Sequence, residues 1–150
     1  MADSSRFCIA AGMVGTAVAV RADLADRAGV DHLLEEAGRR LDALDILVNN
    51  AVGPIAGGKA AMEVFSVVAA GELGVRGITV NVVSPGATDT DLLRETNPEA
   101  TLEVLVGMTP LGRLGLPDDI ADVVAFLAGP DSRWVTGQNI RATGGLGYLR

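Results

Sequence analysis

The sequence predicts a single α/β domain, residues 1–150, in which parallel strands are joined by helices. Three observations predict it. Short apolar runs of strand length recur at residues 17–24, 45–50, 78–83 and 138–142. Between the first three lie stretches whose apolar residues repeat every three or four positions, the period of a helix with one buried face. A chain of 150 residues is long enough to bury one core and short for two. Alternation of this kind is satisfied by crossovers that keep the strands parallel.

Residues 17–24 (Ala, Val, Ala, Val, Arg, Ala, Asp, Leu) are mostly apolar, as a strand covered on both faces is. Asp26 is placed to cap the following helix, whose core stripe is Val30, Leu33, Leu34, Ala37 and Leu41. Residues 45–50 form the second strand. The next helix runs from about Lys59 to Leu73 and buries Ala61, Phe65, Val68, Ala69 and Leu73. Gly74 stops it, because glycine tolerates the left-handed cap conformation. A strand at 78–83 leads into a loop rich in Pro, Gly, Thr and Asp. Pro117 begins a third helix where its missing N–H costs nothing, with Asp118 and Asp119 at the positive helix end. Ile120, Val123, Val124 and Leu127 are its buried stripe, Gly129 and Pro130 its stop, and residues 138–142 the last strand. One junction is irregular: residues 51–58 carry the chain from a strand end straight into a helix, where a normal crossover would supply a further helix and strand.

Composition narrows the function classes. Hydrophobic residues make up 49% and charged residues 21%, which suits a folded domain with a core. The net charge of −7 supplies no basic field, so neither nucleic acid nor an anionic membrane surface is expected as a partner. One cysteine, Cys8, and one histidine, His32, offer no metal set and no internal disulfide, and a reducing cytoplasm fits. Cys8 reads as a small apolar side chain and His32 as an exposed helix residue. No run approaches the roughly 20 apolar residues of a membrane span, and the N-terminus does not read as a leader.

Lys59, the only lysine, lies in the run Ile55, Ala56, Gly57, Gly58, Lys59, Ala60, Ala61, Met62, Glu63 at the head of an apolar helix. This segment resembles the active-site helix of the short-chain dehydrogenase/reductase family, in which Tyr-x-x-x-Lys opens the helix. Other segments are similar to the family pattern, in the right order. They are Ala22, Asp23, Leu24 at a strand end; Asn49, Asn50, Ala51 after the next strand; Gly77 to Gly86 with its Pro-Gly turn; and Thr136, Gly137, Gln138 with Gly144 and Gly145. The nearest flavour is that of bacterial β-ketoacyl carrier-protein reductases. The resemblance implies a Rossmann-like parallel sheet, NAD or NADP as cofactor, and a small-molecule ketone or secondary alcohol as substrate. It places the adenine at Asp23 and Leu24 and further cofactor contacts at Asn49 and Ala51. Lys59 is the ribose-binding and catalytic position, and Pro85, Gly86, Thr88 and Thr90 form the turn that faces the nicotinamide.

Three departures alter that expectation. Ile55 stands where the family tyrosine would be, and isoleucine has no ionisable group with which to move a proton. The glycine-rich turn is not found near the N-terminus, where Gly12, Met13, Val14 and Gly15 read as a plain turn. The helix, central strand and serine that the family places before the Lys59 helix are also missing. Ser66 and Ser84 do not substitute, and Tyr148, the only tyrosine, reads as a packing residue of the tail.

The expectation is therefore a truncated Rossmann-like fold, an oxidoreductase by descent and inactive alone. Such a chain would associate as a homo-oligomer or with a full-length relative. An NAD(P)-dependent enzyme using Lys59 with a water or with Tyr148, and a nucleotide-sensing module built on Asp23, Asn49 and Thr90, are the competing readings. Each site residue also has a plain structural explanation: Lys59 as a solvated helix start, Asp23 as a strand stop, Asn49 and Asn50 as a turn, and residues 85–90 as a rigid helix entry.

Overall fold

The computed structural model describes residues 6–11, 16–22, 27–40, 44–49 and 56–147. They belong to two units, residues 1–44 and 45–150.

In the first unit, Arg6–Ala11 (β1) and Thr16–Arg21 (β2) pair antiparallel, from Arg6 opposite Arg21 to Ala11 opposite Thr16. Residues 17–21 of the run at 17–24 are thus strand, while Asp23 and Leu24 lie outside the described residues. This strand is paired antiparallel with β1 and is not part of the parallel sheet. Its partner explains why. Phe7, Cys8, Ile9 and Ala10 make a second apolar strand only four residues away, and a connection that short can join antiparallel neighbours only. Residues 12–15 lie outside the described residues. Helix α1, Arg27–Arg40, follows. Val30, Leu33 and Ala37 of its expected stripe are half-buried, Leu34 is exposed, and Asp26 and Leu41 lie outside the described residues. Its outer face carries surface pairs of Arg27 with Asp31 and of Glu36 with Arg39 and Arg40.

The second unit holds the parallel sheet. Ile46–Asn49 (β3), Thr79–Pro85 (β4) and Asn139–Ala142 (β5) run in the order β3-β4-β5, all parallel, so that β4 is central. Ile46 pairs with Thr79 and Asn49 with Val82, while Val82 pairs with Asn139 and Pro85 with Ala142. Helix α2, Ala56–Leu73, is the crossover from β3 to β4. Alternation along β4 sends Ile78 and Val80 to one face, where they pack with Ala70 of α2, and Val83 to the other. There Val83 meets Ile120 and Leu127 of helix α5, Pro117–Ala128, with Val48, Val123, Val124 and Ile140 around them. A parallel sheet with helices on both faces is the Rossmann-like arrangement that the sequence implies.

Two helices occupy the segment read as a loop: Asp91–Thr96 (α3) and Glu99–Met108 (α4). Thr90 caps α3 by accepting the Leu93 N–H at 3.2 Å, and Pro98 precedes α4 with Glu99 in its first turn. The face assigned to α2 needs correction in part. Ala69 and Leu73 do pack on the core, with Ala70 against Ile78 and Val80, and the Ala61 side chain lies outside the described residues. Phe65, however, is 73% exposed and Val68 52% exposed, whereas Ser66 and Ala70 are buried. Small side chains let the helix lie close to the sheet, which turns the bulkier stripe of Val64, Phe65, Val67 and Val68 outward. Gly74 opens a short 3-10 turn, and it is Gly77, at φ 76°, that takes the left-handed cap. For α5 the stripe and both ends are as the sequence implies, and the Asp119 carboxylate accepts the Leu116 N–H at 2.6 Å to complete its cap.

Candidate functional site

The carboxyl ends of β3, β4 and β5 lie side by side at one edge of the sheet, the edge at which open parallel sheets bind ligands. Asn49 ends β3 opposite Val82. Beyond β4, the Gly86 N–H donates to the Ala142 carbonyl at 2.9 Å, carrying the pairing one residue past the strand. Glycine is required there by closeness: a Cβ on Gly86 would sit 2.7 Å from Thr143 Cα. The chain then runs alongside Gly115. Asp89 N–H donates to the Gly115 carbonyl at 2.8 Å, and Gly115 N–H donates to the Ala87 carbonyl at 2.9 Å. Because backbone direction alternates, this leaves the Thr88 N–H pointing away from Gly115, with no acceptor among the described residues. The Thr88 hydroxyl donates to the Gly86 carbonyl at 3.1 Å and tightens the turn. At the head of α3 the Thr90 hydroxyl accepts one hydrogen bond and keeps its own proton to donate.

Two arginine forks brace this neck. Arg94 holds Asp89 through bonds of 2.6 and 2.7 Å, and Arg113 holds Asp119 through bonds of 2.6 and 2.8 Å. The hydrogen bonds from Arg94 hold the Asp89 carboxyl below the usual carboxylate range, and those from Arg113, aided by the Leu116 N–H, depress Asp119 further. Reciprocally, Asp89 and Asp119 raise their arginines. All four groups stay charged at neutral pH.

The structure brings Asn49 and residues 85–90 to one edge of the sheet, and places the Lys59 backbone near the start of α2. The side chains of Asn49 and Lys59, and all of Asp23, Leu24, Ala51, Ile55 and Tyr148, lie outside the described residues. Sequence reasoning missed a polar chain behind the site. Ser84 Oγ donates to Asn139 Oδ1 at 2.8 Å, and Asn139 Nδ2 donates to Glu63 Oε1 at 2.5 Å, tying β4, β5 and the Lys59 helix together. It missed Asn81 too. Fully buried in β4, Asn81 donates through Nδ2 to the Val135 carbonyl at 2.9 Å and accepts the Gln138 N–H at 3.1 Å. A lone asparagine within the apolar run of residues 78–83 was the available signal.

Among the described residues no cluster of three or more His, Cys, Asp or Glu could hold a metal, and no helix is long and apolar enough to cross a membrane. A hollow between α3, α4 and Leu114 is lined by Arg94, Glu99, Leu102, Glu103 and Val106.

Comparison with known proteins adds to this geometry. The family model for Enoyl-(Acyl carrier protein) reductase matches residues 51–147. The 3-oxoacyl-[acyl-carrier-protein] reductase FabG of Pseudomonas aeruginosa is 50% identical over 91 residues, covering 61% of this chain and 36% of that protein. An uncharacterized oxidoreductase of Methylorubrum extorquens is 45% identical over 132 residues, covering 82% of this chain and 51% of its own. The chain thus spans about half, or less, of the length of these relatives. Among solved structures, a 7 alpha-hydroxysteroid dehydrogenase complexed with NADH and 7-oxo glycochenodeoxycholic acid superposes with a TM-score of 0.72 at 25% identity. That match covers 84% of this chain and 72% of the other. A short chain dehydrogenase family protein from Francisella tularensis shares the fold, with a TM-score of 0.67 at 24% identity over 82% of this chain and 59% of its own.

Proposed function

From the premise that this chain belongs to the short-chain dehydrogenase/reductase family, whose members descend from NAD(P)-dependent oxidoreductases, we propose that it keeps the nicotinamide-facing side of the family site and has no independent turnover. Residues 85–90 fit the carboxamide of a nicotinamide. The Thr88 N–H and the Thr90 hydroxyl both have a proton to donate, and the bridge to Gly115 holds the backbone between them in place. NAD(P) bound there would supply a hydride donor or acceptor. Of the chain's own groups, Lys59 would hold the ribose with its three donors, Asn49 and Ala51 would line the neighbouring strand end, and Asp23 with Leu24 would meet the adenine.

Ile55 is the observation that carries the loss of turnover. A proton must move on or off the substrate oxygen as hydride moves at carbon, and the position four residues before Lys59 holds a side chain that can do neither. The order of elements supports the same reading. After β1 the chain passes through residues 12–15 into another strand, so no helix N-terminus follows those glycines to hold a pyrophosphate. Between β3 and α2 there are only residues 50–55, and β3 pairs directly with β4.

The test is a thermal melt of the whole chain with millimolar NAD, NADH, NADP and NADPH in turn, beside a turnover panel of ketones and secondary alcohols. A midpoint raised by at least one cofactor, with no turnover, is expected. Sustained oxidation or reduction of nicotinamide by the pure chain would refute the loss of activity, and four unmoved midpoints would refute the retained nucleotide side.

A second reading, association with another copy or with a full-length relative, is favoured by α2. Its outward stripe of Val64, Phe65, Val67 and Val68 has no apolar cover among the described residues. Sedimentation that gives a monomer at all concentrations, with no complex when a full-length reductase is added, would dismiss it.

A further inference from the structure

The segment holding α3 and α4 leaves the sheet after Thr90 and returns at Gly115, and Leu102 is the one buried side chain of its two helices. What holds its far end is the turn of residues 143–146, which follows β5. That turn is wedged between two surfaces. On one side Thr143 lies against Gly86, where a Cβ would come within 2.7 Å of its Cα and 3.0 Å of its carbonyl oxygen. On the other side Gly144 and Gly145 lie against the exit of α4. A Cβ on Gly144 would meet Thr109 Cγ2 at 2.8 Å, and one on Gly145 would meet Pro110 Cγ at 2.7 Å. Leu111 N–H donates to the Gly144 carbonyl at 3.1 Å, and Leu146 N–H closes the turn on the Thr143 carbonyl at 3.1 Å. Gly144 and Gly145 have φ of 60° and 90°, the left-handed region, so the turn has the shape of its glycines. Thr109, which it touches, is buried and ties its hydroxyl to the Leu105 carbonyl at 2.7 Å.

We infer that residues 143–146 form a wedge that couples the turn at 85–90 to the α3–α4 segment, so that displacement at Gly86 is transmitted through Thr143 and Gly144 to Thr109, Pro110 and Leu111. The approaches at Gly86, Gly144 and Gly145 leave no room for a side chain: at each, one added methyl would force a shift. The inference rests on the reading of residues 85–90 as the ligand-contacting turn. It makes the wedge the route by which an occupant of that turn orders α4, a segment that its own packing holds weakly.

Hydrogen exchange of the ligand-free whole chain tests the coupling apart from any nucleotide binding, so its failure and that of the nucleotide reading are distinguishable. Gly86→Ala should raise exchange across residues 99–112 by about tenfold or more, the change expected for a marginally held segment that loses one tight contact. The control is Gly77→Ala, which strains a left-handed glycine with nothing within 4 Å of the added methyl, and it should leave residues 99–112 no faster than the rest of the unit. Wild-type exchange at 99–112 in a folded Gly86→Ala chain would overturn the inference, as would equal acceleration by both variants. Should Gly86→Ala fail to fold, Gly145→Ala reads the route in reverse, since its methyl meets the edge of the Pro110 ring. Faster exchange at residues 86–90 then supports the wedge, and unchanged exchange there overturns it.

Discussion

Replacing Asn81 by leucine, a side chain of similar length, should destabilise the chain by an amount the structure allows to be worked out. Asn81 Nδ2 serves the Val135 carbonyl and Oδ1 serves the Gln138 N–H, and the side chain is fully buried. Leucine leaves both backbone groups without a partner, at about 1–3 kcal/mol each. Gln138 is exposed and Val135 half-buried, so water can reach one group more readily than the other, which favours the lower half of that range. Burial of the leucine returns about 1 kcal/mol. The net expectation for Asn81→Leu is a loss of roughly 1–3 kcal/mol, a sizeable part of the 5–15 kcal/mol typical of a domain. Urea unfolding with linear extrapolation measures it, and an unchanged slope shows that the same structure is being unfolded. A loss below about 0.5 kcal/mol, the size of an ordinary surface change, would refute the reasoning. The loop at 135–138 has a second tie, from Val80 N–H to Thr136 Oγ1 at 3.1 Å. Thr136→Val combined with Asn81→Leu should therefore be non-additive, because both changes release the same segment.

Three further outcomes are expected. The folded-state pKa of Asp119 is depressed by Arg113, so the stability it contributes is fully present above the ordinary carboxylate value of 3.8 and is lost as pH falls below that towards the folded value. Asp119→Asn, which keeps an acceptor oxygen for Leu116 N–H, should flatten the acid limb of a stability–pH profile, and an unaltered limb would count against the pair. Thr90→Val removes the cap of α3 and should cost about 1 kcal/mol in urea unfolding while also abolishing any midpoint shift by nicotinamide cofactors; a preserved shift would show that the hydroxyl is not a ligand contact. Phe65→Glu on the outward face of α2 should leave monomer stability within about 0.5 kcal/mol and reduce self-association in sedimentation, whereas undiminished association would place the contact elsewhere.

The parts legible in the sequence were those set by local chemistry. Pro117 and Gly129 bound α5, Ile120 and Leu127 fill its core, and the apolar strands β4 and β5 lie within one or two residues of where the apolar pattern put them. What was not legible depended on contacts distant in sequence. The pairing of Thr16–Arg21 was decided by Arg6–Ala11, a strand hidden in a short apolar run beside a chain end. On α2, apolar residues line nearly the whole circumference, so periodicity could not choose a face, and the small Ser66 and Ala70 won because they admit the sheet. Helices α3 and α4 were masked by Pro98 and Asn97, which read as loop residues although they separate two helices. At the site, the turn of residues 85–90 was readable as a motif. The reason for Gly86 was not, because only the fold brings Thr143 against it.

The direct pairing of β3 with β4 bears on what kind of ligand the chain could hold. Asn49 lies opposite Val82, three residues before Pro85, so the end of β3 stands beside the strand whose continuation forms the turn at 85–90. Ala142, opposite Pro85, leads directly into the wedge. The residues proposed to face the nicotinamide, 85–90, therefore all belong to residues 45–150, where backbone hydrogen bonds tie Gly86 to Ala142 and Ala87 and Asp89 to Gly115. Asp23 and Leu24, by contrast, follow a strand whose partner is antiparallel and belongs to the other unit. Under the proposed reading, the cofactor contacts that the parallel sheet fixes all fall at the nicotinamide end. Discrimination between NAD and NADP, which differ only at the adenosine ribose, should then be weak, since the difference falls on the half of the ligand that the sheet does not hold.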